Sequence, residues 1–222
     1  MEEERMRNRW LALCERRGAW GPIAERSWNT VIERRYGEAW RFYHTLAHIG
    51  ALLEEFDGVR SLFEDADSAE FAIWFHDIVY DCYDPRITDN EKRSAEIADQ
   101  ELWTLLGHLP AHIELSKKVS ALILATKHDA EPADADARLL ADLDLAILGK
   151  PEEVFEVYEK QIAEEYTPRP YSREAYREGR VDLVLKPFLG RPRIYYTPHF
   201  YGKYEAQARL NLKREMAKLE SE

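Results

Sequence analysis

Histidines and aspartates placed on apolar segments are the residues of this sequence that could do chemistry. His44 and His48 are four positions apart, a spacing that puts both imidazoles on the same face of a helix, one turn apart. His76 and Asp77 are adjacent within an apolar run that begins at Ala72. Burying an unpaired charge is costly, so such groups are usually paired, neutralised or bound to a metal. The pattern therefore predicts either a metal site or a buried hydrogen-bonded pair.

Two later segments contain further candidates. Lys127 and His128 stand where an apolar helical pattern ends, and Asp142 and Asp144 lie within LLADLDLAIL. Two residues turn a helix by about 200°, so these two acids cannot share one face, and we expect one to face solvent and the other to point inward. The spacing alone leaves open which of Asp142 and Asp144 is the inward acid. Imidazoles and carboxylates together suit Mn, Fe, Co, Ni or Zn, and Mg where more oxygen ligands are present.

The charge of the chain narrows the classes of partner. The 222 residues include 31 Lys and Arg against 42 Asp and Glu, which gives a formal net charge of −11. Binding to a nucleic-acid polymer needs clustered cations, so we expect no such partner. A small phosphorylated substrate is compatible with this charge, because one bound divalent ion reverses the local field.

Cysteine use and hydropathy predict a cytoplasmic, soluble protein. Cys14 and Cys82 are far apart and form no CxxC pair, a pattern typical of reduced thiols rather than a disulfide framework. The charged N-terminus has no apolar region followed by a cleavage site. No uninterrupted apolar stretch reaches the ~18 residues of a membrane span, so no membrane partner is expected.

Helical periodicity dominates the sequence. We predict one helix from Tyr43 through YHTLAHIGALLEEF, and a central helix, apolar on most of its circumference, through SAEFAIWFHDIVY. A later helix opens with Thr88 and Glu91 at capping-box spacing. The glutamates of EEVFEVYEKQIAEE are expected on a solvated face. The only strand-like run is RIYYT at 193–197.

These patterns predict an all-α fold made of one domain over residues 1–222. Its core is expected at about 36–165, and a helical C-terminal extension at about 171–219. YTPRPYS, at 166–172, is too short to separate independent domains. The aromatic segment RIYYTPHFYGKY has no cations organised along a groove, so it favours a core-covering or oligomer-facing role and is compatible with a homodimer.

The ordered set of motifs resembles the HD-domain metal-dependent phosphohydrolases. That family has a histidine on one helix, an adjacent His-Asp pair on a second and an aspartate on a later one. The amino-acid sequences of the motifs are closer still to those of an uncharacterised bacterial branch of the superfamily. The resemblance covers about Tyr36 to Leu219 and is carried by RFYHTLAHI, AIWFHDIVYD, DNEKRSA, LILATKHD, DLDLAILG and YEAQARLNLKREM. An isolated His-Asp pair would be a weak match, whereas the ordered set is specific.

The resemblance implies a divalent metal ion held by four ligands, which are His44, His76, Asp77 and Asp144. His48 is an alternative to His44, and otherwise orients a neighbouring carboxylate or packs. Asp142 is likewise an alternative to Asp144. Asp144 is favoured as the inward acid and the ligand, because the second aspartate is usually the ligand in related motifs, and Asp142 otherwise lies near the substrate. One bound ion is preferred over two, because the chain lacks the paired extra histidines of most two-metal relatives.

Other roles follow from the proximity of the motifs. Asp77 or Glu91 is the candidate acceptor of the proton of water, and Lys127 is a candidate cation for the substrate phosphate. His128 is an extra ligand or a substrate contact. Glu91 and Lys127 have structural alternatives as well, the first in a capping box and the second at a helix C-terminus. His108, His112 and His199 are treated as non-ligands.

The expected function is hydrolysis of a phosphate ester, with nucleotides among the candidate substrates, by water that the metal activates. One alternative is a di-iron oxygenase of the same superfamily, which would need His48 or His128 as an additional ligand. The other alternative is a module that senses a nucleotide without cleaving it. No GxSxG, P-loop, GxGxxG or HExxH motif occurs in the sequence.

Overall fold

The computed structural model describes residues 2–82 and 89–221. Helices dominate these residues, and no strand occurs among them, so the predicted all-α fold is confirmed. Thr88, and with it the predicted Thr88–Glu91 capping box, lies outside the described residues. Within the described ranges, no helix combines the length and the apolarity that crossing a membrane requires.

The described residues divide into two compact units. The first unit comprises residues 2–81 and 89–140, and the second comprises Cys82 and residues 141–221. The predicted domain bounds stay a prediction. The helices of the first unit are α1 (Glu2–Arg16), α2 (Gly21–Ser27), α3 (Glu33–Tyr36), α4 (Leu46–Val59), α5 (Ala66–Phe75), α6 (Asn90–Leu106) and α7 (Pro110–Ala125).

Short segments of other helical geometry extend some of these helices. A π-helical segment, Trp28–Ile32, joins α2 to α3, and a 3-10 turn, Arg60–Leu62, follows α4. Helix α8 (Ala135–Asp144) begins in the first unit, ends in the second, and continues as a 3-10 segment, Leu145–Gly149. The remaining elements are α9 (Glu152–Tyr166), α10 (Arg173–Gly179), a π-helical segment (Arg180–Leu185), α11 (Lys186–Gly190) and α12 (Pro198–Ser221).

Aromatic packing around α5 forms the core of the first unit. Trp10 of α1 is fully buried and meets Phe71, Trp74 and Phe75 edge-on, with ring centroids 5.6–5.8 Å apart. Edge-to-face pairs of this kind contribute beyond their buried area. The Trp10 indole N–H donates to the Ala24 carbonyl at 3.1 Å, which satisfies its polar atom. Every residue from Ser68 to Phe75 is buried, so α5 is the central helix that its apolar circumference predicts.

One buried charge on α5 has three cationic partners. Glu70 is 1% exposed and accepts from Arg9 at 2.8 Å, from Arg16 at 3.0 Å and from Arg60 at 2.6 Å. Because the partners come from α1 and from the turn after α4, this carboxylate fixes α5 against both neighbours. A buried charge is tolerated where several hydrogen bonds satisfy it.

Buried carboxylates shape the second unit. The strand-like run at 193–197 forms no strand, in keeping with the predicted all-α fold. Glu205 accepts from the backbone N–H groups of Ile194 and Tyr195. The expectation that the glutamates of α9 lie on a solvated face is wrong, because some of them are buried. Glu159 is 4% exposed, and the guanidinium of Arg180 donates to its carboxylate. A long polar face can therefore include a buried ion pair that periodicity does not reveal.

Candidate metal site

The His-Asp pair lies at the end of α5 and not within it. The helix ends at Phe75, and the His76 N–H still donates to the Ala72 carbonyl at 2.8 Å. Asp77 follows in the turn, so the expectation that both residues lie inside the helix is wrong. His76 is 2% exposed. The side chains of His76 and Asp77 therefore lie together at the C-terminal end of a buried helix.

A backbone contact sets the tautomer of His76. Its Nδ1 lies 3.0 Å from the Ile73 carbonyl oxygen. A carbonyl can only accept, so Nδ1 carries a proton and donates it. Nε2 then donates to Asp77 when the ring is charged and offers a lone pair to an ion when the ring is neutral. Histidines that bind metals use this arrangement, in which one ring nitrogen is held by the protein and the other faces the ion.

His48 of α4 reaches the same point. Its Nε2 lies 3.3 Å from His76 Nε2 and 3.4 Å from Asp77 Oδ2, and Asp77 Oδ2 lies 2.9 Å from His76 Nε2. These three side chains of the first unit bring two imidazole nitrogens and a carboxylate oxygen together, so they could hold a metal ion. Two imidazoles with carboxylates form a donor set that suits a divalent transition metal.

His44 occupies a different position from the one expected. It precedes α4, because Thr45 is extended and is the N-cap of the helix, so His44 and His48 do not share a helical face. The His44 ring stacks on Tyr80 with centroids 3.6 Å apart. Its Nε2 lies 4.0 Å from Asp77 Oδ2, farther than the Nε2 of His48 or His76. The structure therefore brings His44 to the edge of the cluster.

The imidazoles hold Asp77 in its ionised form. Burial alone would raise the pKa of the Asp77 carboxyl, but the charges of His76 and His44 and hydrogen bonds from His48 and His76 hold that pKa well below its usual range. The side chain is 17% exposed, so water reaches it. An ionised carboxylate beside imidazole nitrogens supplies the negative charge that a divalent cation requires.

The N-terminal turns of α6 hold the chain that follows Asp77. The Ser94 hydroxyl accepts from the Val79 N–H at 3.1 Å and donates to the Val79 carbonyl at 3.3 Å. The Asn90 side chain accepts from the Asp81 N–H at 3.2 Å. These contacts give a structural reason for the DNEKRSA motif, which had no assigned role beyond Glu91.

Arg41 is a residue that the sequence analysis missed. Its buried guanidinium donates to the backbone carbonyls of His44, Asp77 and Ile78. The only signal in the sequence is an arginine three positions before His44, and a buried arginine cannot be told from an exposed one by spacing. Its role depends on contacts between distant segments.

Glu91 and Lys127 lie near the beginning of α6. The N-cap of this helix is Asp89, which accepts from the Lys92 N–H, so Glu91 has no need to act in a capping box. Burial, together with the charges of Asp77 and Asp89, raises the pKa of Glu91, and Lys127 partly offsets this. The Lys127 ammonium lies 3.3 Å from the Asp89 carboxylate. Lys127 thus pairs with the N-cap of α6.

The other histidines have separate surroundings. His128 lies beyond the end of α7 and adopts a left-handed backbone with φ 56°. The His108 ring packs on Trp103, and the His199 ring packs on Phe200. Within residues 2–82 and 89–221, no group of His, Cys, Asp or Glu able to hold a metal includes His108, His112, His128 or His199.

Asp142 is a structural anchor within the second unit. It is fully buried and accepts from the Tyr196 N–H at 2.7 Å, and from the Thr197 N–H at 2.7 Å and hydroxyl at 2.6 Å. Asp144 is only partly buried. The buried acid of the pair is Asp142, which the segment that includes Tyr196 encloses, so the expectation that Asp144 is the inward acid is wrong.

Comparison with known proteins leaves the family open. No protein-family model matches this chain, and no curated protein or solved structure matches it significantly. The resemblance to the HD-domain phosphohydrolases stays a prediction from the motifs, beside a His/Asp cluster whose donor types fit a metal ion.

Proposed function

We propose that this protein is a metal-dependent hydrolase of phosphate esters, with nucleotides among its candidate substrates. The observation that carries the proposal is the convergence of His48 and His76 Nε2 with the carboxylate of Asp77. The proton on His76 Nδ1 supports it further, since Nε2 is then available to an ion.

The residues that would hold a divalent ion are His48, His76 and Asp77, with His44 at the edge. The resemblance implies Asp144 as a further ligand. When bound, such an ion polarises a phosphoryl oxygen and lowers the pKa of a coordinated water. These residues bind through neutral imidazole and ionised carboxylate, so metal binding should weaken in acid.

Glu91 is a better candidate than Asp77 for accepting a proton from water. A general base is most effective when its pKa approaches the working pH. Burial raises the pKa of Glu91, whereas the neighbouring imidazoles hold the pKa of Asp77 well below its usual range. In this proposal Asp77 supplies negative charge and binds the ion, and Glu91 accepts the proton of water.

Lys127 is the proposed contact for the substrate phosphate. Its ammonium is paired with Asp89 at the beginning of α6. Asp129 also lies 4.0 Å from this ammonium. A doubly charged phosphate could compete with these carboxylates for the ammonium, because charge-assisted hydrogen bonds strengthen with the charge of the acceptor. The proposed contact thus exchanges one anionic partner for another.

The decisive experiment combines elemental analysis with a panel of phosphomonoesters, phosphodiesters and nucleotides at several added metals. We expect the wild-type protein to bind a divalent ion and to hydrolyse part of the panel, and His76→Gln to lose both properties. His108→Gln is the matched control, because His108 packs on Trp103 instead. Wild-type metal content and turnover in a folded His76→Gln protein would refute the proposal.

The same panel separates the alternatives. Two irons per chain with consumption of oxygen would favour the di-iron oxygenase. A nucleotide that binds tightly and is released unchanged would favour a sensing module. Glu91→Gln distinguishes hydrolysis further, since loss of the base should lower kcat while metal content is retained.

A further inference from the structure

We propose that Arg41 is a positioning residue of the candidate metal site. Its guanidinium fixes the segment that carries His44 against the turn that carries Asp77. This inference rests on the proposed function, because it concerns residues of the same site.

A single nitrogen of Arg41 joins the two segments. Nη1 donates to the carbonyl oxygen of His44 at 3.1 Å and to that of Asp77 at 2.7 Å. Nη2 donates to the Ile78 carbonyl at 3.2 Å. The side chains of the two residues joined in this way face each other, with His44 Nε2 4.0 Å from Asp77 Oδ2. The guanidinium therefore sets the separation between these side chains from the backbone side.

Further contacts fix the guanidinium itself. Its Nε donates to Glu38 Oε2 at 3.1 Å, and its central carbon lies 5.3 Å from the centre of the Tyr36 ring. The Arg41 side chain is 0% exposed. A planar fork held by a carboxylate and three carbonyls has one orientation available, so it transmits its position to the groups that it binds.

The bound carbonyls need such a fixing group because of where they lie. His44 precedes the beginning of α4, and Asp77 and Ile78 follow the end of α5. Their carbonyl groups thus lie outside the regular hydrogen bonding of both helices, and the arginine supplies the donors. Loss of a group that orients metal ligands typically weakens metal binding or activity by about 10–100-fold.

Arg41→Lys tests the role of the fork while keeping the positive charge. An ammonium cannot reproduce the planar arrangement of guanidinium donors. We expect Co²⁺ to bind the variant about 10–100-fold more weakly than the wild type, with a changed visible absorption spectrum of the Co²⁺-loaded protein. Circular dichroism checks that the variant is folded.

Arg35→Lys is the matched control. Arg35 also pairs with Glu38, at 3.5 Å, but 43% of its side chain is exposed. We expect Co²⁺ affinity within about twofold of the wild type, since exposed ion pairs contribute little. An equal loss of affinity in both variants would show that Arg41 has no special role.

A second variant keeps the test decisive if Arg41→Lys does not fold. Glu38→Gln leaves the guanidinium in place and removes only its charged partner, so we expect a smaller loss of Co²⁺ affinity and a spectrum between those of the wild type and Arg41→Lys. Wild-type affinity and spectrum in folded Arg41→Lys, or in Glu38→Gln where Arg41→Lys does not fold, overturn this inference alone. Failure of the wild-type protein to bind any divalent ion overturns the proposed function and this inference with it.

Discussion

His48 and His44 differ in how closely they approach the other candidate ligands. His48 Nε2 lies 3.4 Å from Asp77 Oδ2, against 4.0 Å for His44, whose ring also stacks on Tyr80. Losing a group that only orients a ligand typically weakens metal binding by about 10–100-fold. We expect His48→Gln to weaken Co²⁺ binding by more than this. His44→Gln should weaken it less. Titrations followed by visible absorption measure both affinities, and the opposite order would restore His44 as the main ligand.

Asp142 and Asp144 provide a second comparison of single residues. In Asp142→Asn, an amide nitrogen replaces one carboxylate oxygen and cannot accept from the buried N–H group of Tyr196 or Thr197. We expect the free energy of unfolding to fall by about 1–3 kcal/mol, the cost of an unsatisfied buried group. Urea denaturation measures this change.

Metal titration of the same pair checks the assignment. Asp144→Asn should lose more Co²⁺ affinity than Asp142→Asn, because the resemblance implies Asp144 as the ligand and the Asp142 carboxylate already accepts from the N–H groups of Tyr196 and Thr197. If Asp142→Asn abolished metal binding and left the unfolding free energy unchanged, the roles of the two aspartates would be reversed. The spacing alone left this choice open, since the buried partners of Asp142 come from residues 54 positions and more along the chain.

Among the helices, α6 has the most direct effect on the turn after Asp77. Ser94 bonds both the N–H and the carbonyl of Val79. Ser94→Ala should therefore lower the free energy of unfolding by about 1–3 kcal/mol, because both buried groups lose their partner. Urea denaturation at neutral pH is the measurement.

Thr104→Ala on the same helix is the control for Ser94→Ala. The Thr104 hydroxyl is exposed and bonds only to the Gln100 carbonyl of its own helix. Its loss should change the unfolding free energy by about 0.5 kcal/mol or less. Equal effects of the two substitutions would mean that Ser94 contributes only to its helix and does not hold the turn.

The sequence was enough to predict that these segments are helical. It was not enough to predict the residues at which the helices near the site begin and end. Periodicity continues through residues 43–45, yet Thr45 is extended and its hydroxyl accepts from the Ala47 N–H, so α4 begins at Leu46. Apolar residues likewise continue past Phe75, where α5 ends. A hydrophobic pattern reports burial and cannot by itself mark where the backbone leaves the helix.

Side chains that bind backbone across distant segments were also beyond the sequence patterns. Arg41 binds carbonyls 36 and 37 positions away. Glu205 binds N–H groups that a strand-like run would otherwise direct to a partner strand. Residue type on an apolar segment marked His76 and Asp77 as candidates, whereas the wider ligand set was an expectation from the resemblance. The groups that orient the cluster are common residue types, and only the folded chain distinguishes them.

For the molecule as a whole, the net charge of −11 affects how metal binding is measured. A strongly acidic protein attracts divalent cations to its whole surface, and salt screens that attraction with a Debye length of about 8 Å at physiological ionic strength. Titrations at that ionic strength therefore favour a specific site over the diffuse ion atmosphere. Binding that disappears with added NaCl in the wild type would indicate only the latter.

One buried carboxylate should influence how the free energy of unfolding of the first unit changes in acid. Asp136 is 1% exposed and accepts from the N–H groups of Glu64 and Asp65 and from the Lys118 ammonium. Burial opposes ionisation, but these partners outweigh it and lower the pKa of Asp136 from its ordinary value of 3.8. The unfolded chain then binds more protons between the two pKa values, so folding gains stability as pH rises through that interval.

The sign of this linkage gives a prediction for Asp136→Asn. The stabilisation by ionised Asp136 is present above the ordinary pKa of 3.8 and is lost as pH falls through the lower pKa of the folded state. At pH 7 the free energy of unfolding of the variant should be about 2 kcal/mol lower than that of the wild type, as expected for the loss of hydrogen bonds to a charged group. That difference should shrink steadily below pH 4 in urea titrations.

Glu114→Gln, on the exposed side of α7, should follow the wild-type curve at every pH, because its pair with Lys117 is exposed to solvent. A difference that stayed constant into acid would mean that Asp136 contributes by packing and not by its charge.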